Sequence, residues 1–115
     1  MFDNVFCDLE LPYYNKLDSR NFQTKSLECS DLNYRIDLFG QLYRVGSEPH
    51  YLEFFSHTGL VNICTISNGY YFEYEIYFED GKYSNIDLVE KRNIRKSIAE
   101  LKNLQSDWAN GYIEN

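Results

Sequence analysis

The chain has 115 residues with 11 basic and 18 acidic side chains, and its net charge is −7 at pH 7. This length is typical of one domain that buries a core without disulfides or a metal. The acidic balance argues against nonspecific attraction to nucleic acid or to an anionic membrane. Eleven tyrosines and eight phenylalanines favour strands, because aromatic side chains pack well on a pleated surface. Three widely spaced cysteines and two histidines predict no disulfide framework, metal site or cofactor.

The first third of the chain predicts two short strands separated by irregular segments. Residues 2–8 form the first strand, and Pro12 interrupts the pattern because proline has no N–H for a strand ladder. Residues 15–32 are polar and mixed, which predicts a loop with one short strand near residues 22–24. Residues 51–55 are a short apolar run that fits either a strand or a helix segment.

Residues 33–45 predict a β-hairpin. Gly40 can adopt the positive φ that a three-residue loop over 38–40 with a bulge requires. That loop sets Ile36 opposite Leu42, so two apolar side chains meet on one face, as a buried cross-strand pair should.

Residues 60–66 and 70–79 predict two strands joined by an Asn-Gly turn at 68–69. A two-residue type I′ turn there sets Ile63 opposite Tyr74, both on the apolar face. The second strand therefore lies between two hairpins, because an Asp-Gly pair follows it.

The Asp-Gly pair predicts a three-residue loop over 79–81. A two-residue turn would place polar side chains against the apolar face, whereas the longer loop buries Ile86 and Leu88. The longer loop also sets Asp87 opposite Glu73, a like-charge pair with a small cost.

The strand over 70–79 has two faces of different chemistry. The predicted core face carries Tyr70, Phe72, Tyr74, Ile76 and Phe78. The predicted outer face is acidic and tyrosine-rich, and it carries Tyr71, Glu73, Glu75, Tyr77 and Glu79. We expect these five residues to bind a protein partner, because tyrosine offers large contact area at low entropic cost together with a polar tip.

Residues 88–109 predict a helix. Its apolar stripe consists of Ile94, Ile98, Leu101, Leu104 and Trp108. The predicted fold class is therefore α+β: a single domain over 1–115 in which an antiparallel sheet of about five or six strands, residues 1–88, has one C-terminal helix packed on one face.

Two arrangements leave catalysis open. His57 precedes a predicted strand that contains Cys64, which would allow a Cys-His nucleophile pair. Glu73 and Glu75 share a face and could serve general acid–base chemistry. A phosphate-binding glycine loop, a nucleophile elbow and a metalloprotease motif are all missing from the sequence, which favours a non-enzymatic protein.

The N-terminal third carries a resemblance. Its residues are Met1-Phe2-Asp3, Cys7, Leu11-Pro12 and Phe22-Gln23-Thr24-Lys25-Ser26-Leu27-Glu28-Cys29. This pattern resembles a group of small uncharacterised bacterial and phage-associated proteins, although Ser26 stands where the group has Asp. The resemblance implies a recurrent α+β fold of bacteria or their mobile elements and carries over no functional residue.

These features together predict a small acidic binding protein of a bacterium or phage. Its expected role is to occupy a partner surface, as an inhibitor of a host defence or toxin component. No secretory signal and no membrane-spanning apolar stretch is visible, so we expect a cytoplasmic location. The alternatives are an enzyme that uses carboxylates or His57 and a structural or assembly protein. The oligomeric state is not predicted.

Overall fold

A computed structural model describes residues 1–47 and 51–95, and this part of the chain folds into one eight-stranded sheet. The sheet order is β5-β4-β3-β1-β2-β6-β7-β8. All neighbours are antiparallel except β1 and β3, which are parallel. The strands are β1 (Asp3–Cys7), β2 (Asn21–Thr24), β3 (Asn33–Ile36), β4 (Leu42–Val45), β5 (Leu52–Phe54), β6 (Gly59–Ser67), β7 (Tyr70–Glu79) and β8 (Lys82–Asn93).

The predicted α+β class is wrong for the described residues, because their regular secondary structure is nearly all strand and they contain no packed helix. The sheet has eight strands rather than five or six, and β8 continues to Asn93, so the helix does not begin at residue 88. Pairing with β7 explains this difference, because residues 88–93 complete a ladder that a helix would leave unpaired. Residues 96–109 of the predicted helix lie outside the described residues. Within the described ranges no helix has the length and apolarity needed to cross a bilayer.

The sheet curls so that its two ends meet. The Leu42 N–H donates to the Gly81 carbonyl at 2.8 Å, and the Tyr83 N–H donates to the Gly40 carbonyl at 2.9 Å. A Cβ on Gly40 would lie 1.8 Å from Tyr83 Cδ1, so only glycine lets the two turns approach this closely. The curl gives the sheet a concave inner face and a convex outer face.

The core fills the concave face. Its buried apolar side chains are Val5, Cys7, Leu9, Leu11, Phe22, Tyr34, Ile36, Leu42, Val61, Ile63, Phe72, Tyr74, Ile76 and Phe78. The segment after β1 closes over them: the Tyr74 hydroxyl donates to the Pro12 carbonyl at 2.7 Å. The Tyr14 ring meets the Phe72 ring edge-on at 4.8 Å, a favoured aromatic geometry.

Two of the three predicted hairpins have the predicted register. In β3–β4, Ile36 faces Leu42, and Gly40 has a φ of 81°. In β6–β7, Ile63 faces Tyr74 across a two-residue turn. The residues of that turn have φ values of 52° and 78°, as a type I′ turn requires.

The predicted β7–β8 register is wrong. The turn has two residues, because Glu79 faces Lys82, and both turn residues have positive φ. One extra residue, Ser84, forms a bulge near the turn, so Ile86 faces Ile76. The bulge restores the alternation that the short turn would otherwise invert beyond Ser84, which is why Ile86 and Leu88 still point inward.

Asp3 connects β1 to the segment before β3. Its carboxylate is fully buried and accepts backbone N–H bonds from four residues: Glu28 at 2.9 Å, Cys29 at 2.7 Å, Ser30 at 3.0 Å and Leu32 at 2.9 Å. Burial alone would raise the pKa of Asp3, but the four N–H donors outweigh burial and hold that pKa below its ordinary value. The sequence pattern did not predict this structural role.

The β2–β6 junction is held largely by side chains. Only Gln23 and Cys64 pair across it in the strand ladder. The Thr24 hydroxyl donates to the Asn62 carbonyl at 2.6 Å, and the Thr65 hydroxyl donates to the Asn21 carbonyl at 2.8 Å. This junction joins two parts of the sheet, which we call the N-terminal half (β1–β5) and the C-terminal half (β6–β8).

Candidate binding face

The five predicted binding residues all lie on the convex face of β7. The residues that alternate with them from Phe72 to Phe78 are buried. Within the set, Tyr77 is 40% exposed and Glu79 is also exposed, whereas Tyr71, Glu73 and Glu75 are half-buried. The cross-strand partners of the set come from β6 and β8, and they are Leu60, Asn62, Cys64, Ile66, Lys82, Asn85, Asp87, Glu90 and Arg92. We call this surface of β6, β7 and β8 the outer face.

Glu73 is held firmly by its neighbours. One carboxylate oxygen accepts from Asn62 Nδ2 at 2.8 Å, and the other accepts from the Tyr71 hydroxyl at 2.8 Å. Burial, followed by this bond to Glu73, raises the pKa of Tyr71. Glu90 lies opposite Glu73 and pairs with Arg92 at 3.2 Å, so both acidic residues of this cross-strand pair have partners within the chain.

Glu75 is in a different situation. Glu75 lies opposite Asp87, whereas the predicted register set Glu73 opposite Asp87. The short turn and the bulge in β8 account for the difference. Asp87 accepts a hydrogen bond from Asn85 Nδ2 at 3.0 Å, which is a neutral donor. Within residues 1–47 and 51–95, neither Glu75 nor Asp87 has a cation within salt-bridge distance.

An apolar pair lies beside these carboxylates. Leu60 of β6 faces Tyr77 of β7, and Leu60 is 56% exposed. Leu60 was not among the predicted site residues, although the Asn-Gly turn register alone would have placed it opposite Tyr77. In the part of the chain that the structure describes, the outer face therefore combines exposed apolar surface with carboxylates that have no salt-bridge partner.

Two cavities open beside this face at the β2–β6 junction. They measure about 350 and 290 Å³, and Gln23 and Cys64 line both of them. Tyr71 lines the smaller cavity, so the cavities adjoin the predicted set. Their other polar side chains are mostly amides and hydroxyls, and the hydroxyls of Thr24, Ser26 and Thr65 form hydrogen bonds across the strand junction.

The structure separates the residues of the possible nucleophile pair. The His57 ring stacks on Phe55 at 6.1 Å, and its Nε2 lies next to Gly59. Cys64 is further along β6, with roughly 17 Å of extended strand between it and Gly59. Neither cavity that Cys64 lines includes His57. The arrangement therefore does not provide a base beside the thiol.

Two other residues with potentially reactive groups, Cys7 and Glu73, are engaged in the fold itself. Burial raises the pKa of Cys7 to about 12, which keeps this thiol protonated and unreactive. Glu73 shares a face with Glu75, but its two oxygens are engaged by Asn62 and Tyr71. In the part of the chain that the structure describes, no group of three or more His, Cys, Asp or Glu side chains is arranged to hold a metal ion.

The chain matches no protein-family model, and its comparison with curated proteins and with solved structures returned no match.

Proposed function

We propose that this protein is a non-enzymatic binding protein that acts in the bacterial cytoplasm by occupying the surface of a protein partner. The binding surface is the outer face, with Tyr71, Glu73, Glu75, Tyr77 and Glu79 at its centre. A host defence or toxin component of a bacterium is the class of partner that we propose, and inhibition is the expected consequence.

The observation that supports this proposal most strongly is the chemistry of the outer face. Two cross-strand pairs of carboxylates lie beside an exposed Leu60–Tyr77 pair. On a face that only contacts solvent, opposite charges across neighbouring strands would stabilise the fold. Like charges across the strands lower the free energy of unfolding instead. Residues that lower stability in this way are expected at functional sites.

The proposal is tested by capture from a bacterial lysate with a matched pair of variants. The test variant changes Tyr71, Glu73, Tyr77 and Glu79 to alanine. The control variant changes two tyrosines and two glutamates that are exposed elsewhere: Tyr13, Tyr51, Glu10 and Glu53. Circular dichroism and thermal unfolding first establish that both variants fold.

We expect the control variant to retain the partner that the wild-type chain captures and the test variant to lose it. Retention of the same partner by a folded test variant would remove the outer face from the proposal. Loss by both variants would show that capture follows overall charge and aromatic content rather than this face.

A further inference from the structure

Within residues 1–47 and 51–95, some carboxylates of the outer face have a partner for their charge, and Glu75 and Asp87 have no cation within salt-bridge distance. The geometry points to a basic partner segment in which arginine or lysine side chains flank an apolar residue. The cations contact Glu75 and Asp87, and the apolar residue packs on Leu60 and Tyr77. This inference rests on the proposed function, because it names the kind of partner that the same face would hold.

The first argument is the distribution of partners among four carboxylates. Glu73 has an amide and a hydroxyl donor on its two oxygens, and Glu90 has Arg92. Glu75 and Asp87 have no such cation within the described ranges, although they are direct cross-strand neighbours. Among these four carboxylates, negative charge is therefore least compensated at Glu75 and Asp87.

The second argument is the chemistry of a cation that fits there. Carboxylates directly opposite each other on one sheet face have Cβ atoms about 4.5–5.5 Å apart. A planar guanidinium presents several N–H donors in a fixed fork and can bond to both groups at once, and an ammonium can do so as a point charge. Such a cation removes the repulsion between Glu75 and Asp87, so binding gains energy that the free chain lacks.

The third argument is independent of charge. Leu60 is 56% exposed and Tyr77 is 40% exposed, and they face each other next to Glu75. Protein interfaces commonly have a desolvated apolar or aromatic centre within a polar rim. The Leu60–Tyr77 pair provides the centre and the carboxylates provide the rim, so the partner needs an apolar residue between its cations.

The partner meets the face of the sheet and not its edge. β8 is the edge strand on this side, and two register shifts interrupt its pairing with β7, at Ser84 and at Val89. Bulges bend and twist an edge strand, and this discourages the addition of a further strand.

A peptide titration tests the chemistry of the partner. The probe is acetyl-Arg-Leu-Arg-Leu-Arg-amide, added to the isotopically labelled full chain at about 0.05 M ionic strength, where surface charges are weakly screened. We expect NMR shift changes to cluster at Leu60, Glu75, Tyr77 and Asp87. The Glu75→Gln/Asp87→Asn variant should bind the peptide about tenfold more weakly or worse, a loss of about 1.4 kcal/mol.

The matched control is Glu10→Gln/Glu53→Gln, which removes the same two charges from exposed positions away from the outer face. Its affinity should change less than about twofold. Equal weakening of both variants, or shift changes centred elsewhere, would overturn the inference by showing attraction to net charge alone.

The peptide result and the lysate capture separate the two proposals. In one outcome, capture from the lysate depends on the outer face but the peptide does not bind there. That outcome refutes the basic partner segment and leaves the outer face as the proposed binding surface. Capture that survives both the four-alanine variant and the Glu75→Gln/Asp87→Asn variant refutes the proposed function and, with it, this inference.

Discussion

The two halves of the sheet use their carboxylates differently. In the N-terminal half, Asp3 accepts four backbone N–H bonds, Asp8 pairs with Arg35 at 2.6 Å, and Glu28 is bonded to both Tyr34 and Arg44. In the C-terminal half, carboxylates of β7 face carboxylates of β8. The acidic residues of the first half therefore stabilise it through bonds to N–H, hydroxyl and guanidinium groups. In the second half, Glu73 and Glu90 also have partners, whereas Glu75 and Asp87 face each other with no cation within salt-bridge distance in the described ranges.

The largest expected effect tests the structural role of acidic residues in the N-terminal half. Asp3→Asn leaves one oxygen at a buried position for four N–H donors, so two or more of them lose their acceptor. At about 1–3 kcal/mol for each unsatisfied buried group, we expect the free energy of unfolding to fall by about 2–5 kcal/mol. Urea denaturation measures it, and Asp31→Asn, at an exposed position of the same segment, is the control. A loss below about 1 kcal/mol would contradict this role.

The next effect tests the junction between the halves. Thr24→Val removes the hydroxyl that donates to the Asn62 carbonyl at 2.6 Å and accepts from the Ser26 N–H at 3.1 Å. Thr24 is buried, so we expect a loss of about 1–3 kcal/mol in the free energy of unfolding. Thr65→Val is the control within the same junction, since its hydrogen bond is exposed and water can replace it. Equal losses for the two variants would show that burial does not decide the strength of the junction.

Acid should weaken the N-terminal half. The hydrogen bond from Tyr34, with that from Arg44, lowers the pKa of Glu28, and four N–H donors lower that of Asp3. Because both folded-state pKa values lie below the unfolded ones, about 3.9 for Asp and 4.3 for Glu, their stabilisation is complete above these values. It is lost as the pH falls through the folded-state values. Unfolding measured between pH 7 and pH 2 should show this loss, and Asp3→Asn should make it shallower. An unchanged profile in that variant would contradict the assignment to Asp3.

The same two halves differ in how much of them the sequence could predict. The β6–β7 register follows from alternation and one Asn-Gly turn, so Ile63 opposite Tyr74 was predicted and is confirmed. The β7–β8 turn was predicted wrongly, because nothing in the local pattern distinguishes a longer loop from a short turn with a bulge at Ser84. Ile86 and Leu88 still face inward as predicted. The predicted register would turn Tyr83 outward, whereas in the structure Tyr83 faces Phe78 and packs against the core.

The N-terminal half depends on contacts that sequence periodicity does not encode. The parallel pairing of β1 with β3 joins segments about 30 residues apart, and Asp3 reaches donors that are equally distant along the chain. The predicted C-terminal helix failed over residues 88–93 because strand pairing overrode a helical apolar stripe that begins only at Ile94. The candidate binding face was predictable because it lies in the local part of the fold.

The smallest expected effect distinguishes the two pairs of carboxylates on the outer face. Glu75→Gln removes repulsion with Asp87 and should raise the free energy of unfolding by a few tenths of a kcal/mol. Glu73→Gln should lower it, by about 0.5–1.5 kcal/mol, because it removes a charged acceptor from Asn62 and Tyr71. Denaturation of both variants under the same conditions measures the two signs. A rise in the free energy of unfolding for both variants would show that the Glu73–Glu90 and Glu75–Asp87 pairs are energetically equivalent.

The most direct test of the central claim is photocrosslinking from single positions in living bacteria. A benzoylphenylalanine replaces Tyr77 at the centre of the outer face or, as the control, Tyr51 beside β5 at the other edge of the sheet. We expect illumination to give a discrete crosslinked product from position 77 and none from position 51. A product from position 51 with none from position 77 would contradict the claim that the outer face of β6–β8 holds the partner.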